Sequence, residues 1–351
     1  MSATLRPSPQ PAVRRWFATP GNAVVTTLVF VIGALVLLPL ARWAIVDATW
    51  HGTGAECRAG SGACWSFIGH KLRFIVFGLY PPREQWRAAS VAFALVALVI
   101  VTAAPRCWSR WLLAAWAVVL GVALWLMHGG AGLAVVPSRE WGGLPVTLML
   151  TTIGLAAGFP LGVVLALGRR SRSPLARVVA TATVEVVRGV PLVAVLYVAA
   201  LVVPLTMPAG LDLDKLMLAQ AAIALFAAAY LGEAVRSGLQ VVSRGQGGAA
   251  LSLGLRPWQA MRLILLPQAL RVVLPSLVSI AVAFFQDTSL VVIIGLFDLL
   301  NTARVAAQDP DWLGFHNEAY VFVAAIYFAG SFALSTYGRY LERYARVTRR
   351  A

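Results

Sequence analysis

Gly247-Gly248-Ala249-Ala250-Leu251-Ser252-Leu253-Gly254-Leu255-Arg256-Pro257, followed by Ile264-Leu265-Leu266-Pro267, is a polar island between long hydrophobic spans. A helix of such small residues lets its backbone approach a partner closely. Gly254 suits the end of that helix and Pro257 cannot continue it. Trp258, Met261 and Leu265 then recur at a roughly helical spacing, which reads as a second helix at the membrane interface. The island occupies a loop over residues 236–270, flanked by segments long enough to cross a bilayer. Small residues alone suit an ordinary loop helix. The full spacing Ala-Ala-x3-Gly-x9-Ile-x-Leu-Pro, ending at Pro267, favours a surface on which a soluble partner docks.

Composition excludes a soluble globular chain: 60% of the 351 residues are hydrophobic and 12% are charged, with a mean hydropathy of +0.79. The excess of Lys+Arg 29 over Asp+Glu 14 does not point to nucleic acid. The basic residues gather at the ends of apolar spans rather than in stripes with interleaved aromatics. Arg6, Arg14 and Arg15 before an apolar run mimic a signal peptide. The run is longer than a signal core of ~7–15 residues and no A-x-A site follows it, so it reads as an uncleaved first span.

Apolar windows fall at Val24–Val46, Ala88–Ala104, Trp111–Met127, Leu144–Gly168, Val178–Val203, Leu216–Val235, Val272–Phe297 and Ala319–Tyr337. The fold class is therefore all-α, a polytopic membrane protein of about eight transmembrane helices. Arg6/Arg14/Arg15, Arg106/Arg110, Arg169/Arg170/Arg172/Arg177, the run Arg236 to Arg271, and Arg339/Arg343/Arg346/Arg349/Arg350 all fall on one side. Asp212/Asp214 and Asp298/Asp309/Asp311/Glu318 fall on the other. The positive-inside rule then makes both termini cytoplasmic. The loop Asp47–Arg87 strains this pattern with five basic residues, and its Trp65–Leu79 segment reads as an amphipathic helix lying along the interface. In an oxidising compartment Cys57 and Cys64 form a small local disulfide. His51 and His70 stand near them without a familiar metal-ligand spacing. Cys107, His128 and His316 are isolated, so neither a catalytic constellation nor a metal site assembles from the sequence. Two parts result: 1–140, with about three spans and a periplasmic loop, and 141–351, dense in glycine, proline and charge at membrane depth.

Three polar stretches lie within or at the ends of spans. In Val184-Glu185-Val186-Val187-Arg188-Gly189-Val190-Pro191-Leu192, Glu185 and Arg188 are three apart and can pair on one helix face. A straight helix puts Arg188 near the bilayer centre, where a charge costs about 2.5–3.5 kcal/mol and must face protein or water. Gly189 and Pro191 can break that helix and offer backbone groups to a cavity. Gln286, Asp287, Thr288 and Ser289 carry a second intramembrane charge, suited to an ammonium or to an interhelical contact. Glu233 and Arg236, in Tyr230-Leu231-Gly232-Glu233-Ala234-Val235-Arg236, read as an interfacial pair that positions the island.

These motifs, together with Gly142-Gly143-Leu144-Pro145 and Gly245-Gln246 through Leu266-Pro267-Gln268-Ala269, resemble the permease subunits of polar-amino-acid ABC importers. Leu165 through Ser171 and Gly295 through Leu300 are similar to the larger membrane subunit of the general L-amino-acid importer, which also fits the three added spans. The resemblance implies a five-helix core from spans four to eight and import of L-amino acids by alternating access. It implies as partners a second related permease, two cytoplasmic ATPase subunits, a periplasmic amino-acid-binding protein and the lipid bilayer of a bacterial inner membrane. Gly247, Gly248, Ala249, Ala250, Gly254, Arg256 and Pro267 become the ATPase-coupling segment. Glu185, Arg188, Gln286, Asp287, Thr288 and Ser289 become the substrate pathway. No G-x-x-x-x-G-K-[ST] occurs, so ATP-Mg belongs to the partner ATPase and this chain binds no cofactor and is not an enzyme. Rival readings are an ion-driven secondary transporter, an intramembrane enzyme, and a scaffold permease whose partner alone binds substrate. Two positions depart from the family pattern: Gly248 stands where a glutamate is usual, and Gln286 where many members have lysine. Docking then rests on close packing and Arg256. The expected effect of Gly248→Glu is a modest gain in substrate-stimulated ATP hydrolysis by the assembled complex; a rate left unchanged or abolished contradicts a compensated contact.

Overall fold

The computed structural model describes residues 16–208 and 213–348. Arg6, Arg14, Arg15, Asp212, Arg349 and Arg350 lie outside them. Every regular element among the described residues is helical, accompanied by three isolated bridges. The chain divides into two compact units.

One unit takes the described residues up to His70 together with Pro310–Glu318. Helix α1 (Pro20–Ala41) starts where Thr19 accepts from the Asn22 N–H, with Pro20 in the first turn, where its missing N–H costs nothing. It is apolar all round and buries no residue against the chain, as a lipid-facing span would. Thr53 and Glu56 form a capping box on the short α2 (Gly54–Ala59). A disulfide joins Cys57 and Cys64, and the Cys64 N–H donates to Glu318 Oε1 at 3.1 Å. Phe67 packs against Trp312 and Phe315 at ring separations of 5.9 and 6.1 Å.

Phe67 belongs to α3 (Trp65–Phe77), the segment expected to lie along the interface. Phe67, Ile68 and Ile75 on it are buried against protein, while Leu72 is exposed.

The second unit contains the remaining helices, the last of them from Ala319 onward. These are α4 (Gln85–Ala103), α5 (Arg110–His128), α6 (Gly143–Gly168), α7 (Pro174–Gly189), α8 (Leu192–Thr206) and α9 (Lys215–Val241). The short α10 (Arg244–Ser252), then α11 (Leu266–Asp287), α12 (Leu299–Ala306) and α13 (His316–Thr348) follow. Among the described residues 7 helices are long and apolar enough to cross a membrane, or 8 if the bent pair α7 and α8 is one span. That pair corrects the expectation of a straight span over Val178–Val203, because its halves meet at 105°. Pro191 forces the preceding Val190 out of the helical region, to φ −108° and ψ 137°, and the ladder stops there. The window Val272–Phe297 lies almost wholly within one candidate span, Pro257–Ile294. Helix α11 ends at Asp287, and a 3₁₀ turn over Thr288–Ile294 leads to Gly295 at φ +76°.

Two buried polar groups tie the end of α5 to its neighbours. Tyr80 Oη donates to the Met127 carbonyl at 2.9 Å, and Arg87 Nε donates to that of Leu126 at 2.6 Å. These are orphan C-terminal carbonyls of α5, which a buried helix end must satisfy.

The closest helix pair is α6 on α9. Gly154, Gly158 and Gly162 repeat every fourth residue and make a groove along α6. A Cβ on Gly158 would lie 2.7 Å from Ala227 Cβ and 2.9 Å from the Ala224 carbonyl oxygen. One on Gly162 would lie 2.8 Å from both the Ala228 oxygen and the Gly232 nitrogen. Backbone therefore meets backbone, the arrangement that replaces a hydrophobic driving force between helices in lipid. Gly238 on α9 receives α11 in the same way, with Val273 and the Ala269 carbonyl in the space of its missing side chain.

The end of α6 nearest Gly143 holds a buried polar cluster. Asp298, wholly buried, accepts from the Leu300 and Asn301 N–H groups at 3.1 and 3.0 Å and so caps α12. Tyr327 hydrogen-bonds the same carboxyl, and Thr147 accepts from the Leu299 N–H at 3.1 Å.

Two measurements test this account. Gly158→Ala is expected to destabilise the purified protein by about 1–3 kcal/mol through overpacking, seen as a lower Tm in detergent. Gly248→Ala, with nothing within 4 Å of its added carbon, is not. Burial pushes the Asp298 carboxyl up to about 6, against the smaller opposing pull of the Asn301 and Leu300 N–H groups, from an ordinary value of 3.8. Between those values the folded chain holds a proton that the unfolded chain has lost. Stability therefore falls as pH rises through that window, and Asp298→Asn is expected to flatten this slope in Tm recorded against pH.

Candidate functional site

The break between α7 and α8 leaves Arg188, Gly189 and Pro191 on the wall of a cavity of about 470 Å³. Helix α9 supplies Phe226 and Tyr230, spaced one turn apart. Helix α11 supplies Phe284 and Asp287. The three aromatics pack on one another, with ring separations of 5.0, 5.9 and 6.5 Å, and form one wall of the cavity. Asp287 is the last residue of α11, and its carboxylate caps no helix. The Arg188 guanidinium lies 5.3 Å from the centre of the Tyr230 ring, within cation–π range. One cation and one carboxylate thus face a space lined otherwise by apolar and aromatic groups, the usual make-up of a small-molecule site.

The expected Glu185–Arg188 pair does not form. Glu185 instead accepts from Arg169 at 2.8 Å, and the nearest carboxylate to Arg188 is that of Glu233, at 3.9 Å. Arg169, at the end of α6, faces α7 and reaches Glu185 first. The break after Gly189 turns Arg188 toward α9. Glu233 does pair with Arg236, at 2.5 Å, and also with Arg169, at 2.9 Å. The other pathway candidates point elsewhere. Gln286 donates to Ser331 at 3.0 Å, the Thr288 hydroxyl to the Phe285 carbonyl at 2.7 Å, and the Ser289 hydroxyl to that of Gln286 at 2.8 Å. Arg188 and Asp287 alone of those six line the cavity. The aromatic wall was not singled out from sequence, although Phe226 and Tyr230 stand at i and i+4, a spacing that marks a shared face.

A smaller cavity of about 280 Å³ lies beside Lys71 and Asp309. Its one lysine is already paired with that aspartate at 2.6 Å, which leaves no uncommitted cation there.

The polar island forms α10 and a turn. Gly247, Gly248 and Ala249 face outward or nearly so, whereas Ala250 is buried and anchors the helix. Gly254, at φ +82°, ends the segment in a conformation that a side chain disfavours. The Arg256 N–H donates to Gln259 Oε1 at 2.9 Å to start the next turn. A π turn over Met261–Leu265 joins α11, with Pro267 in its first turn. Leu251, Leu253 and Trp258 are exposed along the same segment. Outward glycines beside exposed apolar side chains form a surface that a partner can approach closely. Among the described residues no group of three or more His, Cys, Asp or Glu is placed to hold a metal ion.

Residues 158–347 match the family described as binding-protein-dependent transport system inner membrane component. The chain is 44% identical over 314 residues to the inner membrane amino-acid ABC transporter permease protein YhdY of Escherichia coli K12, covering 87% of this chain and 84% of that protein. It is 32% identical to the glutamate/glutamine/aspartate/asparagine transport system permease protein BztC of Rhodobacter capsulatus, over 96% of this chain and 95% of that one. A solved structure described as the crystal structure of an amino acid ABC transporter with histidines is 30% identical, covers 57% of this chain and 89% of its own, and superposes with a TM-score of 0.49.

Proposed function

This chain belongs to the family of binding-protein-dependent transport system inner membrane components, and from that premise we propose that an amino acid in transit is held in its Arg188–Asp287 cavity. The chain is a multi-pass permease subunit of an ATP-driven amino-acid importer, a transport component and not an enzyme. Family membership gives no support to the ion-driven or intramembrane-enzyme alternatives.

One observation carries the proposal for the cavity: a guanidinium and a carboxylate line the same partly aromatic space. An α-amino acid is a zwitterion. Its carboxylate matches Arg188 and its ammonium matches Asp287, while the side chain lies against Phe226, Tyr230 and Phe284. Both recognised groups are common to all L-amino acids, so the cavity reads the backbone and leaves selection among side chains to a periplasmic binding protein. The two matching charges also offset the desolvation that a bare zwitterion would suffer at membrane depth.

The remaining machinery follows from the same premise. Two cytoplasmic ATPase subunits use ATP-Mg, and this chain binds no cofactor. Helix α10 enters a groove on one ATPase, and a second related permease completes the pathway. The inner membrane is then the location, with both termini cytoplasmic, since Arg169, Arg170, Arg172 and Arg177 share a side with α10 in the charge pattern. Closure of the ATPase dimer moves α10 and rocks α9 and α11, to which its loop is joined, so the cavity opens to one side at a time.

Arg188→Gln and Asp287→Asn are each expected to cut L-amino-acid uptake by roughly tenfold to a hundredfold, the loss of one charged hydrogen bond. The measurement is uptake into proteoliposomes holding the full complex and supplied with binding protein, with complex recovery checked by gel filtration. Uptake equal to the parent in both variants would place the substrate site on the partner permease instead.

A further inference from the structure

Glu233 does not line the cavity, yet it is the carboxylate nearest to the cavity's cation. Its Oε2 accepts from Arg169 Nη1 and from Arg236 Nε, both at 2.9 Å, and its Oε1 accepts from Arg236 Nη2 at 2.5 Å. Both oxygens are therefore engaged by arginines that do not line the cavity. Arg188 Nη1 stays at 3.9 Å from Oε2, too far for a hydrogen bond but close enough for strong attraction where water is scarce. The remaining hold on Arg188 is the face of Tyr230, which takes up none of its N–H groups. Charge and ring thus hold the guanidinium in place, without a hydrogen-bonded acceptor among the described residues.

We infer that Glu233 is a positioning residue for substrate recognition: its charge holds Arg188 at the cavity wall, while Arg169 and Arg236 occupy its oxygens and keep the Arg188 donors available for a carboxylate. The inference rests on the reading of the cavity as the amino-acid site. It gives the two outer arginines a definite role. Without Arg236, Oε1 loses its partner and draws Arg188 into a direct hydrogen bond, taking donors from the substrate. Without the Glu233 charge, Arg169 and Arg236 repel Arg188 and its place on the wall is lost. Removing either partner therefore weakens substrate binding, although neither touches the substrate.

The test is equilibrium binding of radiolabelled L-glutamine to the purified complex of permeases and ATPases, without binding protein. Glu233→Gln and Arg236→Gln are each expected to raise Kd by about tenfold, roughly one charged hydrogen bond, and Glu233→Asp is expected to restore most of the affinity. Parental Kd in both glutamine variants, or a loss that Glu233→Asp does not relieve, overturns the inference. If Glu233→Gln fails to assemble, Arg236→Gln carries the test alone, with an unchanged Kd counting against. Arg188→Gln separates the two levels. Binding unaffected by it defeats the cavity reading itself, whereas binding lost in Arg188→Gln but parental in the Glu233 and Arg236 variants defeats only the role of Glu233.

Discussion

Direct backbone contact between α6 and α9 is the constraint on which the second unit depends. Gly154, Gly158 and Gly162 remove side chains from one face of α6, and Ala227, Ala228 and Gly232 meet that face. Lipid tails are as apolar as leucine, so burial of hydrocarbon cannot drive two such helices together; close van der Waals approach can. Once α9 is fixed against α6, its other positions are fixed too. Phe226 and Tyr230 are presented to the cavity, Glu233 to the arginines, and Gly238 to α11.

A second feature is the conversion of one span into two pieces. A helix that ran straight past Gly189 would direct Arg188 according to its own periodicity alone. The break at Val190-Pro191 frees the last turn of α7 and gives the cavity a wall of irregular backbone. Such backbone is tolerated at membrane depth where it faces protein or a polar space. A helix break encoded locally, by one glycine and one proline, becomes a place for chemistry.

The charges at the ends of α6, α7 and α9 form one group rather than separate pairs. Glu233 accepts from Arg169 and Arg236 and attracts Arg188, while Glu185 accepts from the other terminal nitrogen of Arg169. This explains how a chain with so few acidic residues keeps several arginines near membrane depth: two carboxylates serve three guanidinium groups across three helices. It also connects the cavity to the helix from which the docking segment hangs, since Arg236 lies in the last turns of α9 before α10.

The number of spans, the helix–glycine–proline outline of the docking segment and the disruptive residues Gly189 and Pro191 were legible in the sequence. Hydropathy, caps and breakers act within a few residues of themselves. The α6 stripe was legible in principle from glycines at every fourth position, but its partner face was not. The ion pairs were not legible. Glu185 and Arg188 sit at a spacing that permits pairing, yet each found a nearer partner on another helix, Glu233 lying 64 residues from Arg169. Likewise, of six polar candidates for the pathway, only Arg188 and Asp287 reached the cavity, because the others found hydrogen-bonding partners elsewhere. The sequence by itself determined a membrane helix bundle with a docking loop, since the cost of exposing backbone and charge to lipid is a local property. Which charges meet, and around what space, only the tertiary structure decided, because in a medium poor in water an arginine pairs with whichever carboxylate helix packing brings nearest.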